Sequence, residues 1–247
     1  MQLSLMSQRI LRIENGRRAV FVGDTHGDIE ASKAVISKFL DKDTKIIFLG
    51  DYVDRGEFSK ENIDYLLETR ERNPDNVFLL MGNHEAYEIA PFSPDDFWVS
   101  LSGSERAYYS SKLLSLPLAA VTKNKVIALH GALPILKKIE DFEKIELGSK
   151  EWKAITWGDY EFENESKEIK LCSGRPKYSK EEFEKAMKSL KMKLLIRAHQ
   201  PTAPLIGYDG RCLTIFTSNY YAVSRRVAIV DLKKEIRDAK DVKILEI

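Results

Sequence analysis

Residues 19–27 read AVFVGDTHG, residues 45–56 read KIIFLGDYVDRG, and residues 77–85 read VFLLMGNHE. Each begins with a short apolar run, rich in β-branched residues, and stops at a cluster of Gly, Asp, Asn or His. Two later stretches repeat the arrangement: Val126–Leu129 runs into His130 and Gly131, and Leu194–Ile196 runs into Arg197, Ala198 and His199. Apolar runs of this length without polar alternation suit central strands covered on both faces. Their polar ends then fall where open α/β sheets collect ligands, beyond the carboxyl ends of the strands.

Between the runs lie helical patterns. Ile29, Val35, Ile36, Phe39 and Leu40 form one stripe and Ile63, Leu66 and Leu67 another. Ser93 followed by Pro94 predicts an N-cap with proline in the first turn. Ser179 and Glu182 form a capping-box pattern ahead of Phe183, Met187 and Leu190. Residues 205–231 read as later strands joined by turns. The alternation predicts an α/β fold with largely parallel strands. No repeat, low-complexity tract or linker divides the chain, so one domain spanning residues 1–247 is the simplest account, with residues 1–18 as an N-terminal arm.

Composition narrows the function. The 247 residues are 43% hydrophobic, enough for a real core, and carry 39 basic against 38 acidic residues, a net charge of +1. No long-range field favours nucleic acid or an anionic membrane, so neither is expected as a partner. Cys172 and Cys212 show no CxxC spacing and do not read as a disulfide framework, which points to a reducing, cytoplasmic setting. Charges at Arg9, Arg12 and Glu14 interrupt the apolar run that a signal peptide or membrane span would need.

The four histidines, His26, His84, His130 and His199, all lie within four residues of the end of an expected strand. A single histidine there would carry little weight; four of four carry much more. With Asp24, Asp51 and Asn83 they make an N/O donor set without thiolate, which suits manganese, iron or zinc. Two such ions can acidify a shared water and hold a phosphoryl group in line with it. Two cations of charge +2 against Asp24 and Asp51 leave a local excess that matches a phosphate dianion, even in a nearly neutral protein.

The blocks Gly23–Gly27, Gly50–Gly56, Gly82–Glu85, His130–Gly131 and Arg197–Gln200 resemble the signature set of the PPP-family metallophosphatases, to which protein phosphatase 1 and calcineurin belong. The similarity runs in the family's order from about residue 19 to about residue 231. It implies a metallophosphoesterase fold, a central β-sandwich of two mixed sheets flanked by helices. It also implies a serine/threonine protein phosphatase acting on phosphoprotein or phosphopeptide substrates with two divalent metal ions, manganese in vitro or iron or zinc. By resemblance, Asp24 and His26 hold the first metal, Asp51 bridges the two, and Asn83, His130 and His199 complete the second.

The same resemblance makes His84 the proton donor, oriented and kept protonated by Asp54. Arg55 and Arg175 are the expected phosphate-binding arginines, with Asn83 and Tyr220 beside the substrate. Arg197 is expected to serve the fold, and Asp159 to orient Arg55. Some positions depart from the pattern. Tyr221 stands where the family has cysteine, Met81 where many members have arginine, and Ala132 where a second glycine follows the histidine. Three readings follow: a protein phosphatase, a dinucleoside polyphosphate hydrolase on the same bimetal core, or a binding module that kept the fold. A module of the last kind should have lost a ligand or the acid, and neither is missing.

Overall fold

The computed structural model describes residues 8–162, 174–221 and 224–247. Cys172, and Ser173 ahead of Arg175, lie outside them. In chain order the elements are β1 (Ile10–Ile13), β2 (Arg18–Val22), α1 (Ile29–Phe39), β3 (Thr44–Phe48), α2 (Ser59–Arg72), β4 (Val77–Leu79), α3 (Asp96–Ser100) and α4 (Gly103–Leu113). There follow β5 (Ala119–Thr122), β6 (Val126–Leu129), α5 (Lys150–Trp157), β7 (Asp159–Tyr160), β8 (Lys177–Tyr178) and α6 (Lys180–Ser189). The last are β9 (Leu194–Arg197), β10 (Ile206–Gly207), β11 (Cys212–Thr214), β12 (Arg226–Asp231) and β13 (Lys243–Glu246). No helix among the described residues is long and apolar enough to cross a membrane.

Eleven strands form two mixed sheets, one of six in the order β1-β5-β6-β9-β11-β10 and one of five in the order β13-β12-β2-β3-β4, while β7 and β8 pair separately. This is the two-sheet fold that the family resemblance implied and that strand and helix alternation alone would have missed. The five apolar runs are each parallel to a neighbour: β2 with β3, β3 with β4, and β6 with β9. Strands β5, β10, β12 and β13 add antiparallel pairs, so the expected parallel layering holds for the strands that end in polar clusters but not for either sheet as a whole.

The two faces of the central strands join different cores. Ala19, Phe21 and Ile47 pack with Ala128, Ile196 and Leu213 between the sheets. The alternate residues Val20, Val22, Ile46 and Phe48 belong with Val35, Ile36, Ile63 and Leu66 of α1 and α2. On the other sheet Ile127, Leu129 and Leu195 belong with Trp152 and Phe183 of α5 and α6. Burial on both faces is why these strands read as unbroken apolar runs.

Caps fix the helix starts. Ser179 accepts from Glu182 N while the Glu182 carboxylate takes the Ser179 N–H, as the capping-box pattern predicted. Ser93 does not cap a helix: the Ser93–Pro94 bond is cis, and α3 starts at Asp96 with Asp95 at its N-cap. The preceding Phe92 instead packs on His84, ring centroids 4.3 Å apart, and on Trp157, which draws this segment toward the polar cluster. The N-terminal stretch is also more than an arm: Ile10 and Ile13 are buried in β1, which pairs with β5.

Candidate active site

The polar clusters meet where the two sheets come together. Asp24 follows β2 and forms a parallel bridge to Phe216, which follows β11 of the other sheet. Gly23 is required there because a Cβ would lie 2.7 Å from the Ile215 carbonyl carbon, too close for any side chain. Thr217 ties the junction by accepting from Gly23 N at 2.9 Å while its own N–H donates to Asp24 O at 3.1 Å.

Around that junction Asp24, His26, Asp51, Asn83, His84, His130 and His199 converge, none more than 3% exposed. Asp51 is at the centre. Its Oδ2 lies 3.6 Å from His26 Nε2, 3.3 Å from His130 Nε2 and 3.8 Å from His84 Nε2. Asp24 reaches His26 Nε2 with Oδ2 at 3.7 Å and His130 Nδ1 with Oδ1 at 3.7 Å. His130 Nε2 stands 3.1 Å from both Asn83 Oδ1 and His199 Nδ1. Two groups could each hold a cation, His26 with Asp51 and His84, and Asp51 with His130 and His199. They share Asp51, the residue expected to bridge.

Several ring orientations are fixed from behind. His26 Nδ1 lies 2.9 Å from Val53 O, so that nitrogen carries the proton and Nε2 faces the cluster. His84 Nδ1 lies 2.7 Å from Asp54 Oδ2, and the other Asp54 oxygen accepts from Phe97 N at 2.8 Å. His84 Nε2 is thereby left to face the pocket. The backbone is held in an unusual state: His26, Asp51, Asp54, Arg55 and His199 are five of the nine non-glycine residues with positive φ among those described. Left-handed backbone at such residues costs on the order of 1–3 kcal/mol each and collects at functional sites.

The cluster opposes itself electrostatically. Burial, reinforced by the Asp51 charge, pushes Asp24 up to about 7. Burial and the neighbouring His84 push His26 down to about 3, and burial likewise holds His199 well below the usual imidazole range. Burial acts against charge on His130 too, yet Asp51 and Asp24 outweigh it and raise that group to about 9. Asp24 Oδ2 and His199 Nε2 are buried without a hydrogen-bond partner among the described residues. Unpaired, each costs about 1–3 kcal/mol, so two cations fit this donor set and would relieve both the orphaned atoms and the crowded carboxylates.

Glu85 has a role that its place in the Gly82–Glu85 block does not announce. Its carboxylate accepts from Asp51 N at 2.7 Å, Gly82 N at 2.8 Å and Tyr52 N at 2.9 Å. It therefore fastens the turn carrying Asp51 to the turn carrying Asn83 and His84. Burial and the Asp51 charge push Glu85 up to about 8, while the backbone donors pull it down. Gly82 leaves room for this contact, since a Cβ there would stand 2.6 Å from Asp51 N.

The substrate-facing residues divide. Arg55 is half-buried and makes no ion pair among the described residues, so its guanidinium is not spent on a surface partner. Arg175 approaches Asp159 at 3.8 Å, and Asp159 also lies 3.5 Å from His199 Nε2. Asp159 therefore faces Arg175 and His199, in place of the expected Arg55, because β7 runs beside β8, which follows Arg175 directly. Arg197 is fully buried and donates to the carbonyls of Gly131 and Gly158 and to Gln200, a role in the fold as expected. Tyr220 is 49% exposed with its ring 6.4 Å from that of His26. Tyr221, which the sequence marked only as a departure, comes closer, its hydroxyl 3.2 Å from His26 Nε2.

Two mixed sheets that present buried Asp, His and Asn side chains from their strand ends have the metallophosphoesterase architecture. The chain belongs to the calcineurin-like phosphoesterase family, whose family model matches residues 17–203. It is 28% identical over 239 residues to a probable serine/threonine-protein phosphatase of Encephalitozoon cuniculi, covering 88% of this chain and 50% of that one. It is also 28% identical over 244 residues to a serine/threonine-protein phosphatase 4 catalytic subunit of Kluyveromyces lactis, covering 89% and 76% respectively. The chain spans about half the length of the first of these relatives. A solved serine/threonine phosphatase from Saccharomyces cerevisiae, described as similar to human phosphatase PP5, shares the fold with a TM-score of 0.79 at 21% identity, over 98% of this chain and 84% of that one.

Proposed function

We propose that this protein is a metal-dependent serine/threonine protein phosphatase, and that the whole chain acts as one metallophosphoesterase domain. The observation that carries the reading is the pairing of two things in one buried pocket: six N/O donors centred on Asp51, and an imidazole, His84, oriented by Asp54 at 2.7 Å. The names of the curated relatives support phosphoserine and phosphothreonine proteins as the substrate class. Asp24, His26 and Asp51 would hold one cation, and Asp51, Asn83, His130 and His199 the other. Bound there, manganese, iron or zinc would neutralise the phosphoryl oxygens and acidify a water.

The chain's own groups do the rest. Arg55, and Arg175 backed by Asp159, would each donate to non-bridging phosphoryl oxygens, where a planar guanidinium makes two charge-assisted hydrogen bonds. His84 Nε2 would deliver a proton to the departing serine or threonine oxygen. Asp54 holds that ring in place, and Phe97 N holds Asp54. Tyr220, exposed at the rim, would contact the substrate chain. A buried free thiol at Cys212 is compatible with the cytoplasmic setting we assign.

The test is a direct competition of substrates. Purified protein, stripped with a chelator and reloaded with manganese, iron or zinc in turn, is offered a phosphoserine peptide and diadenosine tetraphosphate. The proposal expects metal-restored release of phosphate from the peptide, with the dinucleotide a poor substrate. Preferential cleavage of the dinucleotide would replace it with the nucleotide-hydrolase reading.

A further inference from the structure

Far from the candidate active site, the turn closing the β5–β6 hairpin and the C-terminal end of α6 enclose a groove of about 810 Å³. Five lysines line it, Lys125, Lys185, Lys188, Lys191 and Lys193, joined by Arg211 and Arg237. Glu184 is the only carboxylate in the lining, and Arg211 already binds it at 2.5 Å. All five lysines are exposed, and none forms an ion pair among the described residues. In a chain of 39 basic and 38 acidic residues, such a sign imbalance in one concavity is a local feature against a neutral background.

Two of these lysines occupy positions that favour glycine. α6 ends in a Schellman motif, with Met192 N donating to Met187 O at 2.9 Å and Lys191 N to Lys188 O at 3.1 Å. The residue in the left-handed position is Lys191, with φ +58°. Lys125 closes the hairpin turn with φ +68°, its N–H donating to Thr122 O at 3.1 Å. The two turns are joined by Lys193 N donating to Lys125 O at 2.9 Å. Glycine would satisfy either turn with less strain, yet both carry a cation into the same groove. Lysine at a helix C-terminus commonly serves the helix dipole. That accounts for Lys188 and Lys191 but not for Lys125, which belongs to no helix.

The geometry points to this groove as a docking site for an acidic polypeptide segment of a phosphoprotein substrate. That the partner is a phosphoprotein rests on the proposed function; that the groove takes a polyanionic peptide does not. Lys193 immediately precedes β9 and His199 follows its other end, six residues later, so the groove and the pocket are about 20 Å apart along an extended strand. The path over the surface is longer. An acidic stretch on the order of ten residues from the phosphorylated side chain can therefore fill both sites at once, raising the effective concentration of the phosphate at the pocket.

Binding is read first, without catalysis, as fluorescence anisotropy of a labelled, unphosphorylated glutamate decapeptide at low ionic strength. The inference expects saturable binding that weakens with added salt. It expects a loss of about tenfold or more in Lys188→Glu/Lys191→Glu/Lys193→Glu, each reversal removing one attraction and adding one repulsion. Lys191→Gly is the control for folding: it should keep or raise the melting temperature and still weaken the peptide. Equal binding by wild type and triple variant, or tighter binding of a single-stranded oligonucleotide than of the peptide, would overturn the assignment. Turnover is read second. The triple variant should raise KM for a phosphopeptide with a distal acidic stretch and leave p-nitrophenyl phosphate unchanged. A parallel rise for both substrates would count against docking, whereas failure of the phosphopeptide as a substrate of the wild type would count against the phosphatase reading alone.

Discussion

Replacing His84 by Asn should separate proton delivery from everything else the pocket does. Asn keeps a polar side chain beside Asp54, which retains its second anchor, the Phe97 N–H at 2.8 Å. Of the two donor groups, the one formed by Asp51, His130 and His199 is untouched, and the other keeps His26 and Asp51. General acid catalysis contributes about 10²–10⁴ in rate, or roughly 2.7–5.5 kcal/mol at 1.36 kcal/mol per decade. The loss should depend on the leaving group. A serine alkoxide cannot depart near neutral pH without a proton, so kcat on a phosphoserine peptide should fall by the full range. Nitrophenolate departs unprotonated, so kcat on p-nitrophenyl phosphate should fall by about tenfold or less. Metal content, measured by plasma emission spectrometry on the same samples, should match wild type. Equal losses on the two substrates with metal retained would refute the role of His84 as acid and leave it as a ligand or a structural group.

Other consequences follow from residues around the pocket. Glu85→Gln places an amide N–H against at least one of the backbone donors now held by the carboxylate; an unsatisfied buried donor costs about 1–3 kcal/mol, which should lower Tm by several degrees and weaken metal binding. A Tm within one degree of wild type by calorimetry would contradict that role. Tyr221→Phe removes the hydroxyl that competes for His26 Nε2 and should lower the manganese concentration for half-maximal activity by about 2–10-fold, the worth of one hydrogen bond; weaker manganese dependence in the opposite sense would show that the hydroxyl assists binding. Burial pushes the Cys212 thiol up to about 11. In a Cys172→Ser background native protein should therefore react with a disulfide reagent at pH 8 only after unfolding, and rapid native reactivity would show the thiol to be accessible.

The site was more legible in the sequence than the fold around it. Asp24, Asp51, Asn83, His130 and His199 are each announced by an apolar run that ends abruptly, because a strand covered on both faces carries no polar residue until it leaves the sheet. Their convergence depends on β2, β3 and β4 running parallel in one sheet and β6 and β9 in the other, and a polar cluster at the same end of every run carries that direction locally. Sheet membership is different. Nothing in Val126–Leu129 marks it as belonging with Leu194–Arg197 while Arg18–Val22 pairs with Thr44–Phe48, since pairing is decided by contacts distant in sequence. β1 was hidden because four residues, Ile10–Ile13 with the charged Arg12 among them, are too short a pattern. Tyr221 and Glu85 were missed as participants for a related reason: each acts through a contact that neither periodicity nor composition expresses.

The central claim is that Asp51 is shared by two cations. Isothermal titration of chelator-stripped protein with manganese, supported by metal counting after dialysis, tests it most directly. Wild type should take up two equivalents per chain, His199→Ala one, and Asp51→Asn should lose high-affinity uptake at both positions together. Two equivalents retained by Asp51→Asn, or undiminished phosphatase turnover by wild type holding no metal, would contradict the account.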